Sequence, residues 1–291
     1  MRGVGSARAA ISIVNALPLG VGAAVGIEWT ARTTAYLDGD RPTLARASVR
    51  PRSSSTRLVQ AAARASLDRF AASRGGPLRL VVRSSIPIAR GLKSSSAVSA
   101  SVALATARAA GADPVPSEVA RIAAEVGRAT GMSATGAFDD ALAGLVRGGV
   151  VTDNARDAEL RRFEIDRHLA VALWVPGRPH PRSPTVRRRF TREPALARRA
   201  VDAALSGNWI EAMAANSSLV ERAMGYRYAA LHEAVAQAGA VASGVSGLGP
   251  TFAAVAPTDR LQQVLRALPR SGRRRSVRWS LADEERGRRG R

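Results

Sequence analysis

The sequence predicts an α+β protein, and three observations carry that prediction. Stretches 27–37, 78–83 and 169–175 are β-branched or alternate apolar with polar residues, as strands do. Longer runs, at 54–72, 97–110, 117–128 and 194–224, repeat apolar residues at helical spacing and are broken by Gly/Pro clusters. With 291 residues, 46% hydrophobic and 23% charged, the chain can bury one large core or two medium ones.

Composition narrows the class further. Aromatic residues make up only 4%, so the core is built from small aliphatic side chains. Cysteine is absent, which excludes disulfides, thiolate metal sites and thiol nucleophiles. No apolar run reaches the roughly 18 residues of a membrane helix, and Ser12 and Asn15 interrupt the apolar stretch after the N-terminus. A cytoplasmic protein with no membrane partner is expected. The net charge of +21 raises nucleic acid as a partner. However, the arginines are spread along the chain, densest at 187–189 and 270–291, without the interleaved aromatics of a stacking platform. Anionic small-molecule substrates suit that charge better than a specific nucleic-acid partner.

Taken in order, 10–15 reads as a strand, followed by glycines at 20, 22 and 26 in a GxGxxxG spacing. A dinucleotide fold wants a helix there, yet 27–37 reads as another strand, which demotes an NAD(P)-dependent oxidoreductase. Asp38-Gly39-Asp40 signals a turn, 54–72 a helix ending at 74–77, and 78–83 the strand before a serine-rich loop. Helices follow at 97–110 and 117–128, then an apparently helical segment at 134–143. Strands are expected at 150–152, 163–167 and 169–175, and a Pro-rich connection at 176–184 leads to a basic segment, 185–192. Helices 194–206, 209–224 and 228–238 precede a Gly-rich turn with a strand reaching residue 255 and a last helix, 258–268. The tail from Arg270 carries nine arginines and one strand-like patch, 276–279.

The organising stretch is Ser84-Ser-Ile-Pro-Ile-Ala-Arg-Gly-Leu-Lys-Ser-Ser-Ser-Ala97. A strand, a Pro/Gly loop, three serines and a helix present a helix N-terminus to an anion, because first-turn N–H groups and the helix dipole both attract negative charge. Gly91 allows close backbone approach and Pro87 stiffens the entry. The same pattern also fits a helix merely capped by serine. Composition favours the phosphate cradle: of 44 basic side chains a single one is lysine, Lys93, and it lies in this loop. An ammonium on a flexible stem suits a phosphate that moves during a reaction.

A second feature is the pair Asp139-Asp140 at the head of the 134–143 segment. Neighbours on a helix diverge by about 100°, so both are not expected to face one ligand, and compensation of the helix dipole is the plain alternative. His168, His180 and His232 form no metal-spaced pair, which argues against a zinc hydrolase.

The Pro-x-x-x-Gly-Leu-x-Ser-Ser-Ser loop at 87–96, Thr-Gly-Ala-Phe-Asp-Asp-Ala at 135–141 and Ser-Gly-Leu-Gly-Pro at 246–250 together resemble the GHMP kinase superfamily. Within it the chain is most similar to the archaeal-type shikimate kinases, through Ile13-Val-Asn-Ala16, the aspartate segment and Val151-Thr-Asp-Asn154. The resemblance spans about residues 8–255. It implies a two-domain α+β GHMP kinase fold: an N-terminal domain like ribosomal protein S5 (1–155), a ferredoxin-like C-terminal domain (156–270) and a basic tail (271–291), with the site in the cleft between domains.

It also implies transfer of the ATP γ-phosphoryl group to the 3-hydroxyl of shikimate, with ATP and Mg²⁺ as cofactors. Nucleotide contacts would come from Pro87, Ala89, Arg90, Gly91, Leu92, Lys93, Ser94, Ser95, Ser96 and Ala97, with Gly247 and Gly249 beside them. The base-like aspartate falls first on Asp139 and second on Asp140, with Lys93 assisting. Magnesium would be held by Ser95 or Ser96, and by Glu125. Relatives often carry Gly-Lys-Gly where this chain has Gly20-Val-Gly22, so one early basic contact is missing or replaced. Mevalonate or homoserine as the acceptor is the nearest alternative, and an oxidoreductase or a nucleic-acid-binding protein the more distant ones.

Overall fold

The computed structural model describes residues 1–37, 43–50, 55–70, 77–177 and 185–279. The turn expected at 38–40 and most of the Pro-rich connection fall outside them. The elements run β1 (Arg2–Val14), β2 (Val21–Leu37), β3 (Thr43–Arg50), α1 (Thr56–Phe70), β4 (Pro77–Ser84), α2 (Ser94–Ala109), α3 (Pro116–Ala129), α4 (Phe138–Ala143), β5 (Gly149–Asp153) and β6 (Ala158–Phe163). There follow β7 (Leu169–Val175), α5 (Val186–Phe190), α6 (Pro194–Ser206), α7 (Trp209–Met224), α8 (Ala229–Gln237), β8 (Ala242–Val245), β9 (Phe252–Pro257), α9 (Leu261–Ala267) and β10 (Arg273–Val277).

Strands β1–β6 form one sheet built around the long β2. One edge of β2 pairs along its length with β1, antiparallel; its other edge takes β5 at Val21–Val25 and β4 at Ala31–Leu37. The alternation in the second half of β2 turns Ala31, Thr33, Ala35 and Leu37 inward, as period-2 geometry requires. β3 adds in parallel to β4.

On this sheet lies α2, a helix of small residues that is buried nearly all round, with α1 and α3 against it. Its approach to β1 is set by glycine. A Cβ at Gly5 would strike the carbonyl oxygen of Ser101, and one at Gly3 that of Ala105. Two contacts satisfy buried hydroxyls here: Thr33 Oγ1 and Ser101 Oγ lie 2.9 Å apart, and Ser66 Oγ donates to the Ala103 carbonyl at 2.7 Å.

The second sheet has the order β10-β7-β9-β8, all antiparallel. Val171, Leu173 and Val175 of β7 share a core with Ala200 of α6 and Met213 of α7 that is continuous with the first sheet's interior. Ala172 joins Phe252, Val235 and Val264 on the other face, under α8 and α9. No helix among the described residues is long and apolar enough to cross a membrane.

Three sequence expectations change. The strand placed at 163–167 is instead β6, Ala158–Phe163, a polar edge strand paired with β5, so the first sheet continues past residue 155. An exposed edge strand has no apolar alternation to betray it. β3 escaped notice in the sequence reading. Residues 273–277 are not tail: the strand-like patch expected at 276–279 overlaps the end of β10, which pairs with β7, and a bridge from Trp279 to Ile27 fastens the end of the strand to the first sheet.

The glycine contacts give a stability test. Gly5→Ala should destabilise the protein by about 1–3 kcal/mol, the range for overpacking a tight interior. Gly177→Ala, where an added Cβ meets nothing within 4 Å, should be near neutral in the same urea titration.

Candidate active site

The serine loop leaves β4 and enters α2 through two residues in left-handed backbone, Ala89 (φ 55°) and Lys93 (φ 63°). Lys93 therefore occupies the N-cap position, and no side chain caps α2. Ser94, Ser95 and Ser96 form the first turn instead, so the serine-cap alternative fails and the first-turn N–H groups stay available to an anion. Gly91 (φ 78°) has no room for a Cβ against the Ser246 carbonyl oxygen. That close approach fixes the loop against the glycine turn at 246–250.

Hydrogen bonds lock the pieces together. Ser246 Oγ donates to the Gly91 carbonyl at 2.7 Å and accepts from the Ser12 amide at 3.1 Å. The Gly247 amide donates to Ser12 Oγ at 3.1 Å, and Asn15 Nδ2 donates to the Gly247 carbonyl at 3.2 Å. Behind the turn, Tyr226 and Tyr228 stack at 5.3 Å and donate to the Leu248 and Pro250 carbonyls at 2.8 and 3.2 Å. Burial pushes the Tyr228 phenol up to about 12, so it stays a donor.

The opposite wall is α4, entered through Gly136 (φ 82°) and Ala137 (φ 57°). Three of the four non-glycine residues with positive φ among the described ones thus line this cleft, a concentration of strain common at functional sites. Asp139 and Asp140 are 4% and 8% exposed, and both line the cleft. The expectation that adjacent residues could not face one ligand is corrected here. α4 is a six-residue turn meeting the cleft end-on, so its side chains reach the same space from different sides.

Their partners differ. Asp140 Oδ1 lies 2.9 Å from Lys93 Nζ, a charge pair largely withdrawn from water. Burial and the neighbouring Asp139 push the Asp140 carboxyl up to about 7 even though Lys93 opposes the rise. Asp139 Oδ1 accepts from Asn154 Nδ2 at 2.7 Å, and a Cβ at Gly22 would come within 2.5 Å of Asp139 Oδ2. Gly22 thus makes room for a carboxylate, which explains one glycine of the GxGxxxG spacing without a dinucleotide.

The cleft encloses about 690 Å³. Of the expected phosphate-loop residues, Pro87, Ala89, Arg90, Gly91, Leu92, Lys93, Ser94, Ser95 and Ser96 line it, as does Gly247. Ala97 is buried in the body of α2, and Gly249 packs behind the turn on Tyr226. Glu125 does not reach the cleft: it is exposed on α3, on the side of Arg128. The metal-ligand role expected for Glu125 therefore has no support in the geometry. Sequence reading assigned no role to Ser12, Ser246, Leu58 or the 131–135 segment, which also belong here. Asn15 and Asn154 stood inside quoted motifs but carried no role, because their significance lies in partners more than a dozen residues away.

Comparisons with known proteins agree with this geometry. The family model "GHMP kinases N terminal domain" matches residues 57–148, and "GHMP kinases C terminal" matches 197–274. A shikimate kinase of Methanocella arvoryzae is 32% identical over 274 residues, covering 92% of this chain and 91% of the relative. A shikimate kinase of Pyrococcus furiosus is 32% identical over 268 residues, covering 91% and 96%. Among solved structures, a mevalonate kinase superposes with a TM-score of 0.72 at 12% identity, covering 95% of this chain and 98% of its own. The galactokinase of Lactococcus lactis complexed with galactose gives 0.72 at 13%, covering 96% and 93%. Both family domains in chain order, relatives aligned nearly end to end and a shared two-domain α+β fold lead to one conclusion: the chain belongs to the GHMP kinase family of phosphotransferases.

Proposed function

We propose that this chain is a shikimate kinase, transferring the γ-phosphoryl group of ATP to the 3-hydroxyl of shikimate in the cytoplasm. One observation carries the chemistry: a buried carboxylate pair, an ammonium and an uncapped helix N-terminus converge on one cleft. The acceptor rests on relatives named shikimate kinase that align over nine-tenths of this chain. Shikimate carries a carboxylate, and Arg90 of the cleft lining supplies a guanidinium able to pair with it.

Phosphoryl transfer needs positioning and charge neutralisation more than covalent chemistry. The first-turn amides of α2, the Ser94–Ser96 hydroxyls and Lys93 supply donors for the β- and γ-phosphates. The hydroxyls of Ser95 and Ser96 and the carboxylates of Asp139 and Asp140 are hard oxygen donors of the kind magnesium takes alongside phosphates and water. Bound there, the ion would neutralise phosphate charge. The acceptor oxygen forms the new O–P bond, and the bond from the γ-phosphorus to its bridging oxygen breaks, with the electron pair leaving on ADP. The hydroxyl proton passes to a cleft carboxylate. Asp139 is the better acceptor, since it is oriented by Asn154 and carries no ion pair to Lys93, which holds Asp140.

Three expected outcomes test this reading. With Mg²⁺ATP, ADP release should require shikimate and be absent with mevalonate, homoserine or no acceptor; turnover with another alcohol would keep the site and change the substrate. Asp139→Asn should lower kcat about 10²–10⁴-fold, the range for removing a general base, with little change in ATP binding. Asp140→Asn should be milder, and the reverse ranking would move the proton to Asp140. The third outcome concerns pH. A carboxyl raised to about 7 contributes stability that is complete below the unfolded value of 3.8 and is lost as pH rises through 7. The Tm of Asp140→Asn relative to wild type should therefore climb between about pH 4 and 7 and level off above that in a melting series.

A further inference from the structure

We infer that Asn154 is a positioning residue for phosphoryl transfer, holding the Asp139 carboxylate in its reactive orientation. The inference rests on the reading of Asp139 as proton acceptor. Asn154 closes the turn after β5 and is 2% exposed. Its side-chain amide is committed at both ends. Oδ1 accepts from Thr152 Oγ1 at 2.7 Å and from the Asp139 backbone amide at 3.2 Å, while Nδ2 donates to Asp139 Oδ1 at 2.7 Å.

The orientation of this amide is fixed by chemistry. The Asp139 N–H can only donate, so the atom facing it is the oxygen, and the nitrogen must then face the carboxylate. Asn154 thus grips Asp139 twice, by backbone and by side chain, across a sequence gap of 15 residues. Gly22 closes the other flank, 2.5 Å from Oδ2 to where its Cβ would stand. The clamp engages one carboxylate oxygen, Oδ1, and leaves Oδ2 outside it.

The clamp also separates the two aspartates. The charged groups beside Asp139 are Asp140, on the same turn, and Lys93, which Asp140 already holds. A carboxylate released from Asn154 could swing toward that ammonium and lose its aim at the acceptor. Misplacement of a reacting group by about 1 Å costs on the order of 10²-fold in rate. Part of the architectural task of Asn154 uses the backbone: its N–H donates to the Gly20 carbonyl at 2.8 Å and is kept by every substitution except proline.

Asn154→Ala and the isosteric Asn154→Asp are measured by ADP release with shikimate, beside Asp139→Asn and the double variant Asp139→Asn/Asn154→Ala. Both Asn154 variants should lose about 30- to 100-fold in kcat with KM for ATP and shikimate within about two-fold. In the Asp139→Asn background, removal of Asn154 should cost almost nothing more, since the clamp then has nothing to aim. Thr152→Val, which removes the hydroxyl that fixes Asn154, should show the same loss of kcat in smaller degree, again with KM unchanged. It decides the matter if the Asn154 variants fail to fold. Normal kcat in Asn154→Ala, with only a lower Tm, would overturn the inference. An active Asp139→Asn would instead overturn the reading of Asp139 beneath it.

Discussion

The contact between α2 and β1 is the constraint from which the site follows. Two glycines, Gly3 and Gly5, let the strand approach the helix backbone, and the small side chains of α2 allow it to be buried almost all round. A helix held that closely cannot slide, so its N-terminus is fixed relative to the end of β1, where Ser12 and Asn15 sit. Those two residues bind the glycine turn of the second domain, and Ser246 of that turn binds the serine loop. The serine-loop end of the cleft is therefore a product of interior packing, and its accuracy does not depend on surface contacts.

On this frame the electrostatics is divided between neighbours. Asp139 and Asp140 are adjacent in sequence and almost equally buried, yet one is hydrogen-bonded to a neutral amide and the other paired with an ammonium. Two carboxylates in one cleft repel, and the repulsion adds to burial in raising Asp140. Different environments for like groups are how a site assigns different tasks to them. The only lysine of the chain sits at the hinge of this arrangement, at the N-cap of α2, with its ammonium reaching the opposite wall.

Much of the remaining charge stands outside the cleft. Arg108–Asp113, Arg162–Glu159, Arg199–Glu211 and Arg222–Glu193 are solvent-exposed pairs, each worth about 0–1 kcal/mol. They do little for stability beside the burial of the alanine- and valine-rich interior. The chain's large positive charge is thus mostly a property of its surface, while its chemistry uses a few charges withheld from water.

The sequence by itself determined the local elements and the chemistry available to them. Periodicity placed most helices and the apolar strands, because burial on one face leaves a pattern that nearby residues share. The serine loop, the lone lysine and the aspartate pair were legible for the same reason: each is a contiguous signal. The tertiary structure alone decided whatever depends on residues distant along the chain. It turned both aspartates into one cleft, gave Asn154 its partner, removed Glu125 to the exposed face of α3 and drew residues 273–277 into the second sheet. β6 takes its order from the strand it pairs with, and its mostly exposed residues bury no face whose alternation would record that neighbour in the sequence.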